Sequence, residues 1–289
     1  MTHMQLAGSR AVATAQDDWD RHWQDYSASN RLNPAQDFRR RVILHHLARL
    51  GNGAGPLRVL DIGCGTGEFL RLLLARYPRA ECLGLEYSRR GVEIARRNVP
   101  PASFLQADLL QPQQPEPRFR AWATLAVCSE VLEHVDDPDR LLRNAQPYLA
   151  PGARLIVTVP GGPISAFDRY IGHRRHFTPA ALADLLTAAG YEVRGAWGAG
   201  FPFFNLYRLA VIGRGERLVR DVASGSKQIC GPALVAMRLF GYLFRLNSME
   251  SARGWQTVGL ARYRAVTPPP RDERGAAADL HPLEVESSA

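Results

Sequence analysis

A glycine-rich turn between an apolar run and an amphipathic stretch constrains this chain more than any other feature. The turn reads Asp61-Ile-Gly-Cys-Gly-Thr-Gly67 and follows the apolar run 57–62. Glycines in such a turn let the backbone approach a nucleotide closely, because no Cβ intervenes. The stretch that follows, 67–77, has one apolar helical face, made of Phe69, Leu70, Leu73 and Leu74. The pattern predicts a strand, a turn and a helix that together bind a nucleotide.

One position of the turn separates two kinds of cofactor. Where a dinucleotide-binding turn has its third glycine, this chain has Glu68. A carboxylate at that position would repel a pyrophosphate. The turn therefore predicts a cofactor without phosphates, such as S-adenosylmethionine, whose carboxylate and ammonium can meet the amides and carbonyls of the turn.

Two acidic residues follow later strands at positions that suit a nucleoside. Glu86 ends the second β-rich run, 21 residues after Gly65, and a carboxylate there can accept bonds from both ribose hydroxyls. Asp108 follows the third run and can accept a bond from the adenine amine, although Asp is also a common turn cap.

Further residues are predicted to line the same cleft. Ser129 and Glu130 end the fourth run, and ligands of such sheets bind at the carboxyl ends of the strands. Tyr87 and Leu109 can flank the adenine, although ordinary packing explains them equally well. The predicted cofactor-binding residues are Asp61, Gly63, Cys64, Gly65, Gly67, Glu86, Tyr87, Asp108, Leu109, Ser129 and Glu130.

Short β-rich runs alternate with helical patterns along most of the chain, which is typical of βαβ units. Ser88, Asp137 and Thr178 each stand where a side chain can cap the helix that follows. A turn at 150–152 is predicted to precede the fifth strand. The predicted strands are 57–62, 82–87, 103–106, 123–128, 154–159, 191–197 and 255–263.

Five motifs in order resemble the class I S-adenosylmethionine-dependent methyltransferases, in particular their small-molecule branch. The motifs are Val59–Gly67, Gly84–Tyr87, Gln106–Asp108, Ser129–His134 and Leu149–Val157. The resemblance covers roughly residues 55 to 195 and extends to the seventh strand. It implies an α/β fold with a Rossmann-like seven-stranded sheet, a last antiparallel strand, helices on both faces and S-adenosylmethionine as cofactor.

Two segments flank or interrupt the predicted core. The domain prediction is a helical cover over 1–50, a cofactor-binding core over 51–197, an insertion over 198–254, the last strand over 255–266 and a disordered tail over 267–289. Within the cover, helices are predicted at 17–26 and 34–50, and the first of them has one aromatic face, made of Trp19, Trp23 and Tyr26. We expect this face to pack over the cofactor.

The residues after the fourth strand are the first candidates for chemistry on the acceptor. Glu130, Glu133 and His134 are spaced so that a helical turn would place them on one face. The same spacing resembles the ubiquinone-pathway O-methyltransferases, which use a divalent ion there. An alternative needs no metal: Glu130 would line the cofactor, and Glu133 and His134 would cap the following loop. We assign no metal from the sequence, and we take His134 as a candidate base.

A histidine-rich loop before the capped helix at Thr178 is the second candidate. His173 or His176 could act as base, and Arg174 or Arg175 could hold an acidic group of the substrate. The alternative is that these side chains only anchor the loop to the sheet. The predicted catalytic residues are His134 and His173.

The net charge of +8 is concentrated in the predicted insertion and the strands beside it. Residues 194–264 contain eleven basic and three acidic side chains. Arg238 and Arg245, seven residues apart, interrupt an otherwise apolar helical pattern. A substrate lid over an apolar pocket is the favoured interpretation, while peripheral membrane contact and a dimer contact stay open.

Composition excludes several other classes. The four cysteines form no CxxC pair, so neither a disulfide framework nor a zinc cage is predicted. A cytoplasmic location is predicted for the same reason. No apolar run has the length of a membrane span, and the N-terminus lacks the apolar core of a signal peptide.

The predicted function is methyl transfer from S-adenosylmethionine to a small-molecule acceptor, with an oxygen of an apolar or acidic metabolite as the favoured atom. A nucleic-acid methyltransferase is one alternative because of the basic insertion, but Ser129-Glu-Val-Leu stands where enzymes of that kind have an Asn/Asp-Pro-Pro-aromatic motif. A catalytically silent partner subunit is the other. The acceptor and the oligomeric state are not predicted.

Overall fold

The computed structural model describes residues 18–24, 33–50, 55–223 and 231–264. Its sheet has seven strands in the order β3-β2-β1-β4-β5-β7-β6. β1 to β5 pair in parallel, whereas β7 is antiparallel to both of its neighbours. The strands are β1 Arg58–Ile62, β2 Glu81–Glu86, β3 Ser103–Gln106, β4 Ala123–Ser129, β5 Leu149–Pro160, β6 Tyr191–Ala199 and β7 Gln256–Tyr263. The predicted fold is confirmed, including its last antiparallel strand.

Helices precede the sheet, connect its strands and form the insertion before β7. A short helix, α1, covers residues 19–24. The others are α2 Pro34–Leu50, α3 Glu68–Arg76, α4 Arg89–Asn98, α5 Pro138–Ala145, α6 Ala166–Tyr170, α7 Pro179–Ala188, α8 Phe203–Ala223 and α9 Gly231–Leu243. Three of them begin at the predicted caps: the side chains of Ser88, Asp137 and Thr178 accept bonds from backbone amides three residues later.

The start of β5 differs from the prediction. We expected a turn at 150–152 and a strand from 154, but β5 begins at Leu149, which pairs with Ala123 of β4. The register between the two strands shifts between Ala123 and Leu125, and Gly152 has a φ of 79°. The predicted turn is therefore an irregularity inside one long strand, because pairing with β4 begins before it.

Alternating side chains of the sheet build two core layers. Leu60 and Ile62 of β1 lie in the layer that α5 and α7 cover, whereas Val59 lies in the layer that α3 and α4 cover. A third apolar cluster joins the N-terminal helix α2 to the insertion, through Phe38, Val42, Phe204, Phe244 and Val258. The extension and the insertion thus pack on each other at one end of the sheet.

A buried ion pair anchors the insertion, which starts after Ala199 because β6 is longer than predicted. Arg208 of α8 is 6% exposed and donates to both carboxylate oxygens of Asp168 on α6, at 2.8 and 2.6 Å. This arginine is therefore an internal residue of the insertion. Among the described residues, no helix has the length and apolar character needed to cross a bilayer. The predicted tail, 267–289, lies outside the described residues.

Candidate functional site

The glycine turn lies between β1 and α3 and has a backbone that requires glycine. Gly63, Gly65 and Gly67 have φ values of 71°, 53° and 78°. A Cβ on Gly63 would lie 2.4 Å from Val131, so a side chain would also clash there. The amide of Gly63 donates to the carbonyl of Leu85 at 2.8 Å, which holds the turn against the end of β2.

Glu86 ends β2 directly beside this turn, as predicted. Its carboxylate is 6% exposed and accepts bonds from the amides of Gly65 at 2.8 Å and Ser88 at 2.9 Å. Burial raises the pKa of Glu86. A carboxylate at this place can exchange its amide donors for ribose hydroxyls, or share them.

Asp61 is a buried carboxylate under the turn. It is 3% exposed, and its Oδ2 has no hydrogen-bond partner among the described residues. Burial, and then the nearby charge of Glu86, raise the pKa of Asp61 to about 7. An unpaired buried carboxylate is costly unless a cation or a donor approaches it, so Asp61 fits a positively charged ligand in the turn.

Other predicted cofactor residues differ in what they contact. Asp108 accepts a bond from the amide of Leu110 at 2.9 Å, so it caps a turn. Leu109 lies in the apolar core, whereas the side chain of Tyr87 is 57% exposed. Burial raises the pKa of Cys64, which therefore stays a thiol at neutral pH.

The charge of Glu68 is balanced within its own helix. Its side chain is largely buried in the first turn of α3, and its carboxylate pairs with Arg71 at 3.0 Å. This residue would therefore repel a pyrophosphate less strongly than a free carboxylate would. Its side chain still differs from the third glycine of a dinucleotide-binding turn by its larger volume.

Helix α1 contacts both the glycine turn and the histidine that follows β4. Trp23 packs on the turn so closely that a Cβ on Gly65 would lie 2.7 Å from its ring. Asp20 accepts bonds from Ser88 Oγ at 2.5 Å and from the amide of Arg90 at 3.0 Å. Trp19, at the start of α1, contacts the ring of His134 edge to face, with the ring centroids 4.8 Å apart. The third residue of the predicted aromatic face, Tyr26, lies outside the described residues.

A buried cluster of titratable side chains follows β4. Ligand atoms of Glu133, His134 and His173 all lie within 4.8 Å of one another. Glu133 is fully buried, and neither of its carboxylate oxygens has a hydrogen-bond partner among the described residues. Burial raises the pKa of Glu133 well above its ordinary range and lowers the pKa of His134 to about 3 and that of His173 to about 2. Both imidazoles are therefore neutral at pH 7.

Glu130 does not lie on the face of Glu133 and His134, contrary to the prediction. A short 3₁₀ turn, Leu132–His134, replaces the expected helical turn, and Glu130 itself has a φ of 57°. This left-handed backbone is rare outside glycine and is often found at functional sites. It turns the carboxylate of Glu130 toward Arg39 at 2.8 Å and Gln256 at 2.7 Å. His173, from the later loop, takes the third place in the cluster instead.

A chain of hydrogen bonds sets the tautomer of His173. The carbonyl of Gly162 can only accept, so His176 donates to it from Nδ1, at 3.0 Å. A neutral His176 then accepts at Nε2 from Nδ1 of His173, at 3.2 Å. This arrangement leaves Nε2 of His173 unprotonated and able to accept a proton or a hydrogen bond.

The arginines predicted to hold a substrate are engaged elsewhere. Arg174 forms an ion pair with Asp136, and Arg175 donates to the backbone carbonyl of Asp136 at 3.0 Å. Arg39 of α2 instead reaches Glu130, just after β4, where the arginine side chain is 11% exposed. Sequence reasoning missed Arg39 because its partner, Glu130, is 91 residues away and no local pattern links the two.

Among the residues that the structure describes, Arg39 makes its polar contacts through one nitrogen, Nε. Its Nε contacts Glu130 at 2.8 Å and donates to Gln256 Oε1 at 3.0 Å, and its guanidinium lies 5.8 Å from the ring centre of Phe204. Among the described residues, the structure shows no hydrogen-bond partner for its two terminal nitrogens. The fork of the guanidinium is therefore fixed in position and can bind a carboxylate.

Comparison with known proteins places this geometry in a family. The model of the family described as "Methyltransferase domain" matches residues 35–195. The chain is 37% identical over 186 residues to a trans-aconitate 2-methyltransferase of Methylobacterium nodulans, which covers 62% of this chain and 67% of that protein. It is 27% identical over 212 residues to a ubiquinone biosynthesis O-methyltransferase of Aeromonas salmonicida, with 66% and 83% covered. It spans about half the length of several other trans-aconitate 2-methyltransferases.

A solved structure shares the fold. An S-adenosylmethionine-dependent methyltransferase from Thermotoga maritima superposes with a TM-score of 0.53 at 19% identity, over 85% of this chain and 98% of the other. The family match, the relatives and the glycine turn with its carboxylates agree. The chain belongs to the class I S-adenosylmethionine-dependent methyltransferases, in their small-molecule branch, and S-adenosylmethionine is its cofactor.

Proposed function

We propose that this enzyme methylates a hydroxyl oxygen of a small acceptor that also carries an acidic group. The observation that carries the proposal is the pair of neutral imidazoles, His134 and His173, in a buried cluster on the side of the sheet that Arg39 reaches. The names of two relatives support different parts of this proposal. Trans-aconitate, named in the first, is an acid without a hydroxyl group and supports the acidic group of the acceptor, whereas the ubiquinone biosynthesis O-methyltransferase supports an oxygen atom.

The imidazoles suit a hydroxyl because both present an unprotonated nitrogen. Nδ1 of His134 is buried without a partner among the described residues, and the hydrogen-bond chain leaves Nε2 of His173 free to accept. As the acceptor oxygen attacks the methyl group, the O–CH₃ bond forms, the S–CH₃ bond breaks and the hydroxyl proton passes to an imidazole. The sulfonium leaves as a neutral thioether. Alignment of the three reacting atoms supplies much of the rate.

Mass spectrometry tests the proposed function directly. Purified enzyme is incubated with methyl-labelled S-adenosylmethionine and a panel of trans-aconitate, catechols and hydroxybenzoic acids. We expect label to enter a hydroxyl-bearing acid as an ether. Label that appears only in carboxyl esters, or only in amines, would show that the proposed atom is wrong.

The cluster also has a composition that a divalent cation could use. Glu133, His134 and His173 offer one carboxylate and two imidazoles, and neither oxygen of Glu133 has a hydrogen-bond partner within the described ranges. A cation held there would lower the pKa of the acceptor hydroxyl. Of the two, we propose that an imidazole acts as the base without a metal. Dialysis of the enzyme against a chelator tests this. If activity is lost and added metal restores it, a bound metal and not a free imidazole activates the hydroxyl.

Arg39 is proposed to hold the acidic group of the acceptor. We expect Arg39→Ala to raise the KM of an acidic acceptor by at least about tenfold, because a charge-assisted bond is lost. The Kd of S-adenosylmethionine should change little. Arg175→Ala is the matched control, since Arg175 contacts only the backbone of Asp136 in this region. Equal effects of the two changes would contradict the assignment.

Helix α1 is proposed to be a cover over the cofactor. Trp23 packs on Gly65, and Asp20 ties the helix to the start of α4. We expect Trp23→Ala to raise the Kd of S-adenosylmethionine by about tenfold, because the variant loses an aromatic contact worth about 1 kcal/mol or more. Isothermal calorimetry measures this. A Kd equal to that of the wild type would show that α1 does not contribute to cofactor binding.

Binding of S-adenosylmethionine is expected to depend on pH through Asp61. The pKa of this carboxyl is raised to about 7, so it is half protonated at that pH and ionised above it. The cofactor carries a net positive charge and prefers the ionised form, so its affinity should rise with pH. We expect a loss of up to about tenfold per pH unit below 7. Asp61→Asn should flatten the profile, and a profile that is flat in the wild type would contradict this role.

A further inference from the structure

The outward face of α9 is apolar and exposed. Val235, Leu239, Tyr242 and Leu246 follow one another at helical spacing along α9 and the 3₁₀ turn Phe244–Leu246. Between 56% and 69% of each of these side chains is exposed. We call these four residues the outer stripe. Exposed large apolar side chains are ordinary when single, but four in a row on one face form a patch that needs a partner.

The inward face of α9 is apolar as well. Phe240 and Phe244 contact Tyr207 of α8, with ring centres 5.4 and 5.7 Å apart. Phe244 also contacts Phe38 of α2, at 5.7 Å. The helix therefore already has its partner inside the protein, and the outer stripe is in excess of what the fold needs. Apart from Arg238, the described side chains of α9 are apolar on both faces, a pattern typical of a buried or a lipid-contacting position.

Positive charge borders the outer stripe. Arg238 and Arg245 are exposed on α9 and in the turn after it, and the guanidinium of Arg245 lies 5.3 Å from the ring centre of Tyr242. Two of the three acidic residues in 194–264 are already paired, Asp221 with Arg214 and Glu250 with Arg49. The face that surrounds the stripe is therefore complementary to a negatively charged partner.

The positions of these charges favour a lipid surface over a second copy of the chain as the partner of the outer stripe. A two-fold contact through the stripe would bring Arg238 and Arg245 close to the same arginines of the other copy. An anionic bilayer instead offers acyl chains to the stripe and phosphates to the arginines. With 13 residues, α9 is about 20 Å long, which is too short to span the roughly 30 Å of a bilayer core. It suits a position parallel to the surface.

We propose that α9 docks this enzyme on anionic membrane surfaces, with the outer stripe among the headgroups and upper acyl chains. The stripe would supply the apolar contact, and Arg238 and Arg245 beside it would supply the charge that meets the phosphates.

Co-sedimentation of the full chain with vesicles tests this. The vesicles are pure phosphatidylcholine, or phosphatidylcholine with about a third of phosphatidylglycerol. We expect the protein to pellet with the anionic vesicles at low salt, and much less with neutral vesicles or at high salt. Leu239→Asp, and Arg238→Glu combined with Arg245→Glu, should each weaken binding by at least about tenfold.

Controls separate docking from misfolding and from self-association. Arg97→Glu changes an exposed arginine of α4 and should bind vesicles like the wild type. Each variant should keep the wild-type Tm and the Kd for S-adenosylmethionine. The proposal is overturned if the wild type does not pellet with anionic vesicles or if Leu239→Asp pellets equally well. It is also overturned if sedimentation velocity shows a dimer that Leu239→Asp dissolves.

Discussion

Replacing His173 with glutamine is expected to lower kcat by at least about tenfold, less than the roughly 10²–10⁴ of an ideally tuned general base, because burial lowers the pKa of this imidazole to about 2. The physical reason is the hydrogen-bond chain that leaves Nε2 of this buried ring unprotonated. Glutamine fills similar space but cannot accept a proton. The Kd of S-adenosylmethionine should stay within about twofold of the wild type, since the ring belongs to the acceptor side. Single-turnover kinetics with an identified acceptor measure the effect.

Two variants sharpen this test. His45→Gln changes a half-buried histidine of α2 that lies outside the cluster and should leave kcat unchanged. His176→Gln should lower kcat less than His173→Gln, because His176 acts on the tautomer of His173 and not on the acceptor. If His173→Gln retains wild-type kcat while His134→Gln does not, His134 alone is the base. If both retain it, the chemistry needs no base from this cluster.

Replacing Arg208 with alanine is expected to lower the free energy of unfolding by about 3–5 kcal/mol, as when one partner of a buried ion pair is removed. The guanidinium of Arg208 holds the pKa of Asp168 well below its ordinary range, so the carboxylate is ionised when the protein is folded. Without Arg208, that charge stays buried, and its remaining hydrogen-bond donors among the described residues are the amide and hydroxyl of Ser165. Urea denaturation monitored by tryptophan fluorescence measures the loss.

An exposed pair of the same helix provides the control. Arg214 pairs with Asp221 on the surface of α8, where about half of its side chain is exposed. Arg214→Ala should cost at most about 1 kcal/mol. A similar, small effect of Arg208→Ala would mean that water reaches Asp168 and that the pair does not anchor the insertion.

The local elements of the fold could be predicted from the sequence because short-range patterns determine them. The glycine turn, the caps at Ser88, Asp137 and Thr178, and six of the seven strand starts within two residues follow from neighbouring side chains. The exception is β5, whose first residue is set by its pairing with β4 and not by its own turn residues.

The cofactor side was largely predictable for the same reason. Asp61, Gly63, Gly65 and Glu86 lie at the ends of two adjacent parallel strands, and parallel pairing brings those ends together. Their contacts with the cofactor remain a prediction. The burial of Asp61 with its Oδ2 unpartnered in the described part of the chain was not visible in the sequence, because it depends on what covers the strand end.

The acceptor side needed the tertiary structure. The prediction placed Glu130 with Glu133 and His134 and gave the arginines of the histidine loop to the substrate. In the structure the left-handed backbone of Glu130 directs its carboxylate to Arg39 of α2, and the two arginines of the histidine loop contact Asp136. Spacing along the chain carries no information on contacts between residues that are far apart in sequence.

The glycine turn with its carboxylates was determined by the sequence itself, since a strand, a turn and a helix form from neighbours and parallel strands align their ends. The grouping of His134 with His173, the burial of Arg208 and the exposure of the outer stripe were decided only by the tertiary structure. These features arise where the N-terminal helices and the insertion pack on one end of the sheet. Packing between distant segments determines which side chains are removed from water. Burial in turn determines the charge state of those side chains and the partners they require.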